Sequence, residues 1–113
     1  MIGGLQMNTI DFQKWVAEYY KKRGWPELDI FIRIGFLAEE TGEVARAIRA
    51  LEIGRDWPDE LESSENELKL ELMEELGDVL GNVTVIANKY GISLEEIFIA
   101  HRDKLEKRFE VKR

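Results

Sequence analysis

The chain carries only two prolines in its 113 residues, Pro26 and Pro58, and both fall where the hydrophobic periodicity is interrupted. Proline removes a backbone donor and clashes with the preceding turn, so its scarcity leaves long stretches in which helices can propagate. Four such segments are legible. The first is expected over residues 10–23, with an apolar stripe of Ile10, Trp15, Val16, Tyr19 and Tyr20 and a stop at Gly24. Gly24-Trp25-Pro26 breaks the pattern. The second is expected over residues 30–52 and ends at Gly54. Ile34, Leu37, Val44 and Ile48 mark its buried side, with Phe36 and Ala47 near the edge. Residues 54–63 read as an acidic loop around Trp57-Pro58. Ser64, with Glu67 three positions on, reads as a capping box that opens a third helix to about Tyr90, before Gly91. Its stripe is Leu68, Leu72, Leu76, Val79, Val83 and Ile86. Ser93 with Glu96 is a second capping box and opens a fourth helix to about Phe109. Strand-type alternation is absent. Short links between helices one and two, and three and four, favour antiparallel neighbours. The expected fold is therefore all-α and four-helix-bundle-like, with one domain over residues 9–113 behind a flexible segment at 1–8.

Charge and composition narrow the function. The formal net charge is −7, which repels nucleic-acid backbone and argues against a DNA- or RNA-binding module. It also repels free nucleotides, so a nucleotide ligand would need a cation between it and the protein. There is no cysteine, which excludes disulfides, thiolate zinc sites and cysteine nucleophiles. No apolar run approaches the roughly 20 residues of a membrane span, and the N-terminus lacks the pattern of a secretory signal. No membrane partner and a cytoplasmic location are expected.

The carboxylates carry the chemical signal. At 100° per residue, Glu43 lies roughly 60° from Glu40, and Val44 and Leu37 lie within roughly 60° on the other side. Two acids therefore share the apolar face of helix two, with Glu39 just outside it. Helix three repeats the arrangement: Glu75 and Asp78 are three apart, Glu71 and Asn82 share their edge, and Leu68, Leu72, Val79 and Ile86 border them. Ionised carboxylates at a packing interface are costly unless paired or bound to metal. The core-facing stripes offer few cations beyond Arg33 and the edge residue Lys89. An oxygen-rich cage would suit Mg²⁺ or Mn²⁺. The single histidine, His101, argues against zinc and against a di-iron bundle, and reads as a surface residue. The alternative is that both acidic pairs are solvated or salt-bridged faces, as is common on Glu-rich helices.

Glu39-Glu40-Thr41-Gly42-Glu43, followed by Glu75-Leu76-Gly77-Asp78, resembles the EExxE…ExxD signature of the MazG-like nucleotide pyrophosphohydrolases. These form an all-α group with dimeric dUTPases, dCTP pyrophosphatases and phosphoribosyl-ATP pyrophosphatases. Arg23-Gly24-Trp25 ahead of the first motif and Lys104-Leu105-Glu106-Lys107-Arg108-Phe109 at the end extend the likeness over about residues 9–110. The 31 residues between Glu43 and Glu75 are long for the simple pattern, and the extra length falls in the acidic loop. The resemblance implies that Glu40, Glu43, Glu75 and Asp78 ligate Mg²⁺, with Mn²⁺ as a substitute. It implies hydrolysis of an NTP or dNTP to the monophosphate and pyrophosphate, in the manner of nucleotide-pool house-cleaning.

Glu39 or Glu71 is then the candidate general base. Trp25 is a candidate for stacking on the base, or else a hydrophobic plug; Trp15 is expected in the core. Asn82 is placed either to hydrogen-bond sugar or base or to be an ordinary polar edge. Lys104, Lys107 and Arg108 are phosphate-binding candidates, although a basic last turn also complements a helix dipole. The apolar faces, and the resemblance, lead to an expected homodimer or homotetramer. A phosphoribosyl-ATP pyrophosphatase-like enzyme and a non-catalytic helical dimerisation or adaptor module are the rival readings.

Overall fold

The computed structural model describes residues 6–27, 29–54 and 64–110. They form α1 (Thr9–Lys22), a 3₁₀ turn (Trp25–Glu27), α2 (Ile30–Ile53), α3 (Glu65–Lys89) and α4 (Leu94–Arg108), with no strand among the described residues. The all-α class expected from the sequence is the one found. The loop at 55–63, with Trp57, lies outside the described residues.

The helices begin and end where local chemistry dictates. Ser64 accepts from the Glu67 amide at 3.1 Å while the Glu67 carboxylate accepts from the Ser64 amide at 3.2 Å, which satisfies two otherwise orphaned donors. Ser93 and Glu96 do the same for α4. A third capping box, Asn8 with Asp11, opens α1, and Asp29 caps α2 by accepting from the Phe31 amide at 2.7 Å. At the end of α3, Gly91 takes φ +67°, a conformation that a side chain would strain, and the Ile92 amide reaches back to the Ala87 carbonyl at 2.9 Å.

The chain divides into two compact units, one holding residues up to Glu27 and from Thr84 onward, the other Leu28–Val83. In the first, Val16 of α1 is fully buried. Gln13 ties the unit together. Its side-chain amide donates to Asn88 Oδ1 at 2.9 Å and to the Ile92 carbonyl at 2.7 Å, and its Oε1 accepts from the Leu94 amide at 2.9 Å. An aromatic cluster runs along α1 into the turn, with Trp15 stacked on Tyr19 at 5.0 Å and Tyr20 edge-on to Trp25 at 4.9 Å. Trp15, expected in the core, is instead 43% exposed, because it packs on its own helix.

In the second unit, α2 and α3 run antiparallel: Arg33 meets Asn82, and further along α2 Glu40 meets Asp78 and Glu75. Ile34 and Ile48, expected on the buried side of α2, are about half exposed. The covered face keeps Leu37 and Val44 and takes Arg33 and Ala47 in place of Ile34 and Ile48. It follows Arg33, Leu37, Glu40, Val44 and Ala47, a 4-3-4-3 spacing that keeps one seam in line. On α3 the corresponding seam is Leu68, Leu72, Glu75, Val79 and Asn82, so Leu76, one step off it, is also about half exposed. Leu37, Val44, Leu68, Leu72 and Val79 lie on the expected stripes; Ile34, Ile48 and Leu76 fall off the seam because polar residues occupy two of its positions on each helix.

Candidate metal centre

Glu40 on α2 and Glu75 and Asp78 on α3 each offer a carboxylate oxygen within 4.8 Å of the others. Glu40 and Glu75 are half-buried, whereas Asp78 is exposed. Burial pushes the Glu40 carboxyl above its ordinary range, and the charges of Asp78, Glu75 and Glu39 and a hydrogen bond with Asp78 push it further. Burial also raises Glu75, with the charges of Asp78 and Glu43 adding to it and Arg46 opposing. Glu40 and Glu75 thus hold negative charge at a cost that an added cation would relieve.

The donor set is oxygen only, which fits a hard divalent ion. Mg²⁺ takes oxygens at about 2.1 Å, so two ligands of one ion lie at most about 4.2 Å apart. The 4.8 Å bound on the three exceeds that limit by about 0.6 Å.

The four-carboxylate cage of the sequence reading is three carboxylates here. Glu43, one turn past Glu40, accepts from the Arg46 guanidinium at 2.7 Å. It lines a groove with Arg46, Ala47 and Ala50 of α2 and Glu71, Glu74 and Glu75 of α3, which includes Glu75 of the cluster but not Glu40 or Asp78. Glu71 is half-buried in that groove, and Glu39 is exposed beside Glu40. Sequence reasoning missed Arg46, whose signal was an i,i+3 spacing from Glu43.

Asn82, read as a substrate contact or a polar edge, is 7% exposed. Its Oδ1 accepts from Arg33 Nη1 at 2.8 Å and its Nδ2 donates to the Asp78 carbonyl at 3.0 Å, so its amide is engaged within the protein. Trp25, Lys104, Lys107 and Arg108 belong to the other unit. Trp25 is 40% exposed, with the Arg23 guanidinium 5.8 Å from its ring. Lys104 is exposed on α4, and Lys107 and Arg108 are exposed in its last turn, where positive charge complements the helix dipole. His101 is exposed.

The profile of the MazG nucleotide pyrophosphohydrolase domain matches residues 33–111, which span α2, the acidic cluster and α4. The chain belongs to the MazG family. This MazG domain is 60% identical over 104 residues to the uncharacterised protein YvdC of Bacillus subtilis (strain 168), covering 92% of this chain and 98% of that one. It also superposes on the crystal structure of "the putative pyrophosphatase YPJD from Bacillus subtilis" with a TM-score of 0.64 and 28% identity, over 95% of this chain and 98% of the other. Glu40, Glu75 and Asp78 all lie within the matched residues. No helix among the described residues is long and apolar enough to cross a membrane.

Proposed function

We propose that this MazG domain hydrolyses a free NTP or dNTP to the nucleoside monophosphate and pyrophosphate, with Mg²⁺ as its cofactor and Mn²⁺ as a substitute. The observation that carries the reading is the convergence of Glu40, Glu75 and Asp78, with two of their carboxyls held above the ordinary range. These three would hold the ion, with Glu43, paired to Arg46, one turn away on α2. The bound ion supplies charge compensation for the phosphates and acidifies a water. Glu71 in the groove, or Glu39 beside Glu40, takes the proton from the attacking water. Lys104, Lys107 and Arg108 are the phosphate-binding candidates and Trp25 the candidate for stacking on the base. The active species is a homodimer or homotetramer of the cytoplasm. Phe31, Ile32, Ile34 and Phe36 on α2 and Met73, Leu76 and Leu80 on α3 are exposed, an apolar surface that a second copy would cover.

Incubation with a panel of nucleoside triphosphates and Mg²⁺, with products separated by chromatography, tests this. Monophosphate and pyrophosphate in equal amounts are expected, and EDTA should abolish both. Release of inorganic phosphate with a diphosphate would assign a different bond. No turnover across the panel, with the oligomer intact by light scattering, would favour the adaptor reading.

A further inference from the structure

Two polar pairs bridge α2 and α3 on the same seam, and their spacing is equal on both helices. Arg33 to Glu40 is seven residues forward along α2, and Asn82 to Glu75 is seven residues back along α3. In an antiparallel pair, equal steps in opposite directions keep one register. Seven residues also return to nearly the same face, about 10 Å along the axis. The Arg33–Asn82 pair and the Glu40–Glu75 pair are therefore two layers of one register, and only the first is attractive.

Arg33 is 6% exposed, and its Nη1 donates to Asn82 Oδ1 at 2.8 Å. The guanidinium also lies 5.5 Å from the centre of the Phe36 ring. Asn82 is fixed in turn by its bond to the carbonyl of Asp78, itself one of the three clustered acids. A slip of α2 by one residue would turn Arg33 away from Asn82 and leave buried polar groups unpaired, which is costly. The same slip would carry Glu40 away from Glu75.

We propose that Arg33 and Asn82 are positioning residues: a buried clasp that sets the register of α2 against α3 and so holds Glu40 opposite Glu75 and Asp78 for a divalent ion. The role rests on the metal-centre reading above, but its structural half does not need metal. The clasp opposes the mutual repulsion of the acids, which by itself would push the two helices apart at this level. Arg33 and Asn82 lie about two turns from Glu40 and Glu75, and Asn82 about one turn from Asp78, whose backbone carbonyl it holds, so the clasp acts on the carboxylates through the helix backbones.

The test uses the full chain with cysteines introduced at the exposed positions Ala45 and Leu70, which spin labels read cleanly because the chain has no native cysteine. In metal-free protein the parent should give one narrow α2–α3 distance. Arg33→Met should broaden or shift it, and so should Asn82→Leu, which removes both the acceptor for Arg33 and the donor to the Asp78 carbonyl. On the unlabelled chains, Mn²⁺ affinity should fall about 10- to 100-fold in Arg33→Met. Coulomb's law alone gives the opposite sign, since removing a cation near an acidic cluster should tighten Mn²⁺. A role in stability alone lowers Tm and leaves the affinity of the folded protein unchanged. If Arg33→Met fails to fold, Arg33→Lys keeps the charge, loses the planar fork, and gives both readouts. An unchanged narrow distance, or unchanged or tighter Mn²⁺ binding, overturns the clasp. A parent that binds no Mn²⁺ overturns the metal-centre reading, while the distance measurement still judges the register.

Discussion

Glu96 at the start of α4 and Glu40 in the middle of α2 carry the same side chain in opposite settings. Glu96 accepts from the Ser93 amide, and that hydrogen bond, with a second to the Ser93 side chain, holds its carboxyl below the ordinary range. Glu40 is desolvated and surrounded by Asp78, Glu75 and Glu39, and is held above it. The same contrast separates the regions around them. About Gln13, each polar group has a neutral partner whose hydrogen bonds add to the fold. About Glu40, like charges gather at the fold's expense. An external cation would relieve that repulsion, and this is the ground on which the second region is proposed as the functional one.

The comparison breaks most visibly if the acids of the two regions prove interchangeable. Glu40→Gln, Glu75→Gln and Asp78→Asn should each lower kcat/KM about 100-fold or more, because each weakens a ligand while keeping its size. Metal-free Tm should stay level or rise, since one of several like charges is gone. Loss of metal-free stability in all three would instead mark a structural salt-bridge network. Gln13→Leu should do the reverse. It strips partners from Asn88 Oδ1, the Ile92 carbonyl and the Leu94 amide, and should cost about 2–3 kcal/mol in a denaturant melt. Its kcat at a temperature where it remains folded should stay within about threefold of the parent, because none of those groups belongs to the carboxylate cluster.

Acidity gives a smaller effect of opposite sign in the two regions. The carboxyl of Glu96 is lowered by folding, so its stabilisation is present above the ordinary carboxylate pKa and is lost as pH falls through its folded value. Those of Glu40 and Glu75 are raised, so the associated stability is complete below the ordinary range and is lost as pH rises through their folded values. Melts of metal-free protein between about pH 4 and 7 should therefore show Glu40→Gln gaining on the parent as pH rises. Ser93→Ala, which removes the hydroxyl end of the capping box, should lose about 1 kcal/mol at neutral pH and less in acid. Parallel pH trends for the two variants would dissolve the distinction.

Most of the fold was legible in the sequence, because helix ends are written in local chemistry. Ser64-x-x-Glu67, Ser93-x-x-Glu96, Gly24, Gly54 and Gly91 bound elements whose observed ends agree within a residue or two. The facing of the helices was less legible. Arg33, Glu40, Glu75 and Asn82 sit at seam positions that a count of apolar residues skips, so Ile34, Ile48 and Leu76 were assigned to the wrong side. The acidic cluster itself was readable from Glu40, Glu75 and Asp78. The diversion of Glu43 to Arg46, and the burial of Asn82 under Arg33, depend on side-chain rotamers and on register between helices. Neither has a local signature.

Mn²⁺ titration followed by electron paramagnetic resonance, on the parent and on Glu40→Gln, Glu75→Gln, Asp78→Asn and Glu96→Gln, reads the ion directly and needs no substrate. The parent should bind Mn²⁺, and Mg²⁺ should compete for the same site. The three cluster variants should each bind at least about 10-fold more weakly. Glu96→Gln, which disturbs a capping box and no ligand, should match the parent. Absence of Mn²⁺ binding by the parent, or equal affinity across all five proteins, would contradict a metal centre at Glu40, Glu75 and Asp78.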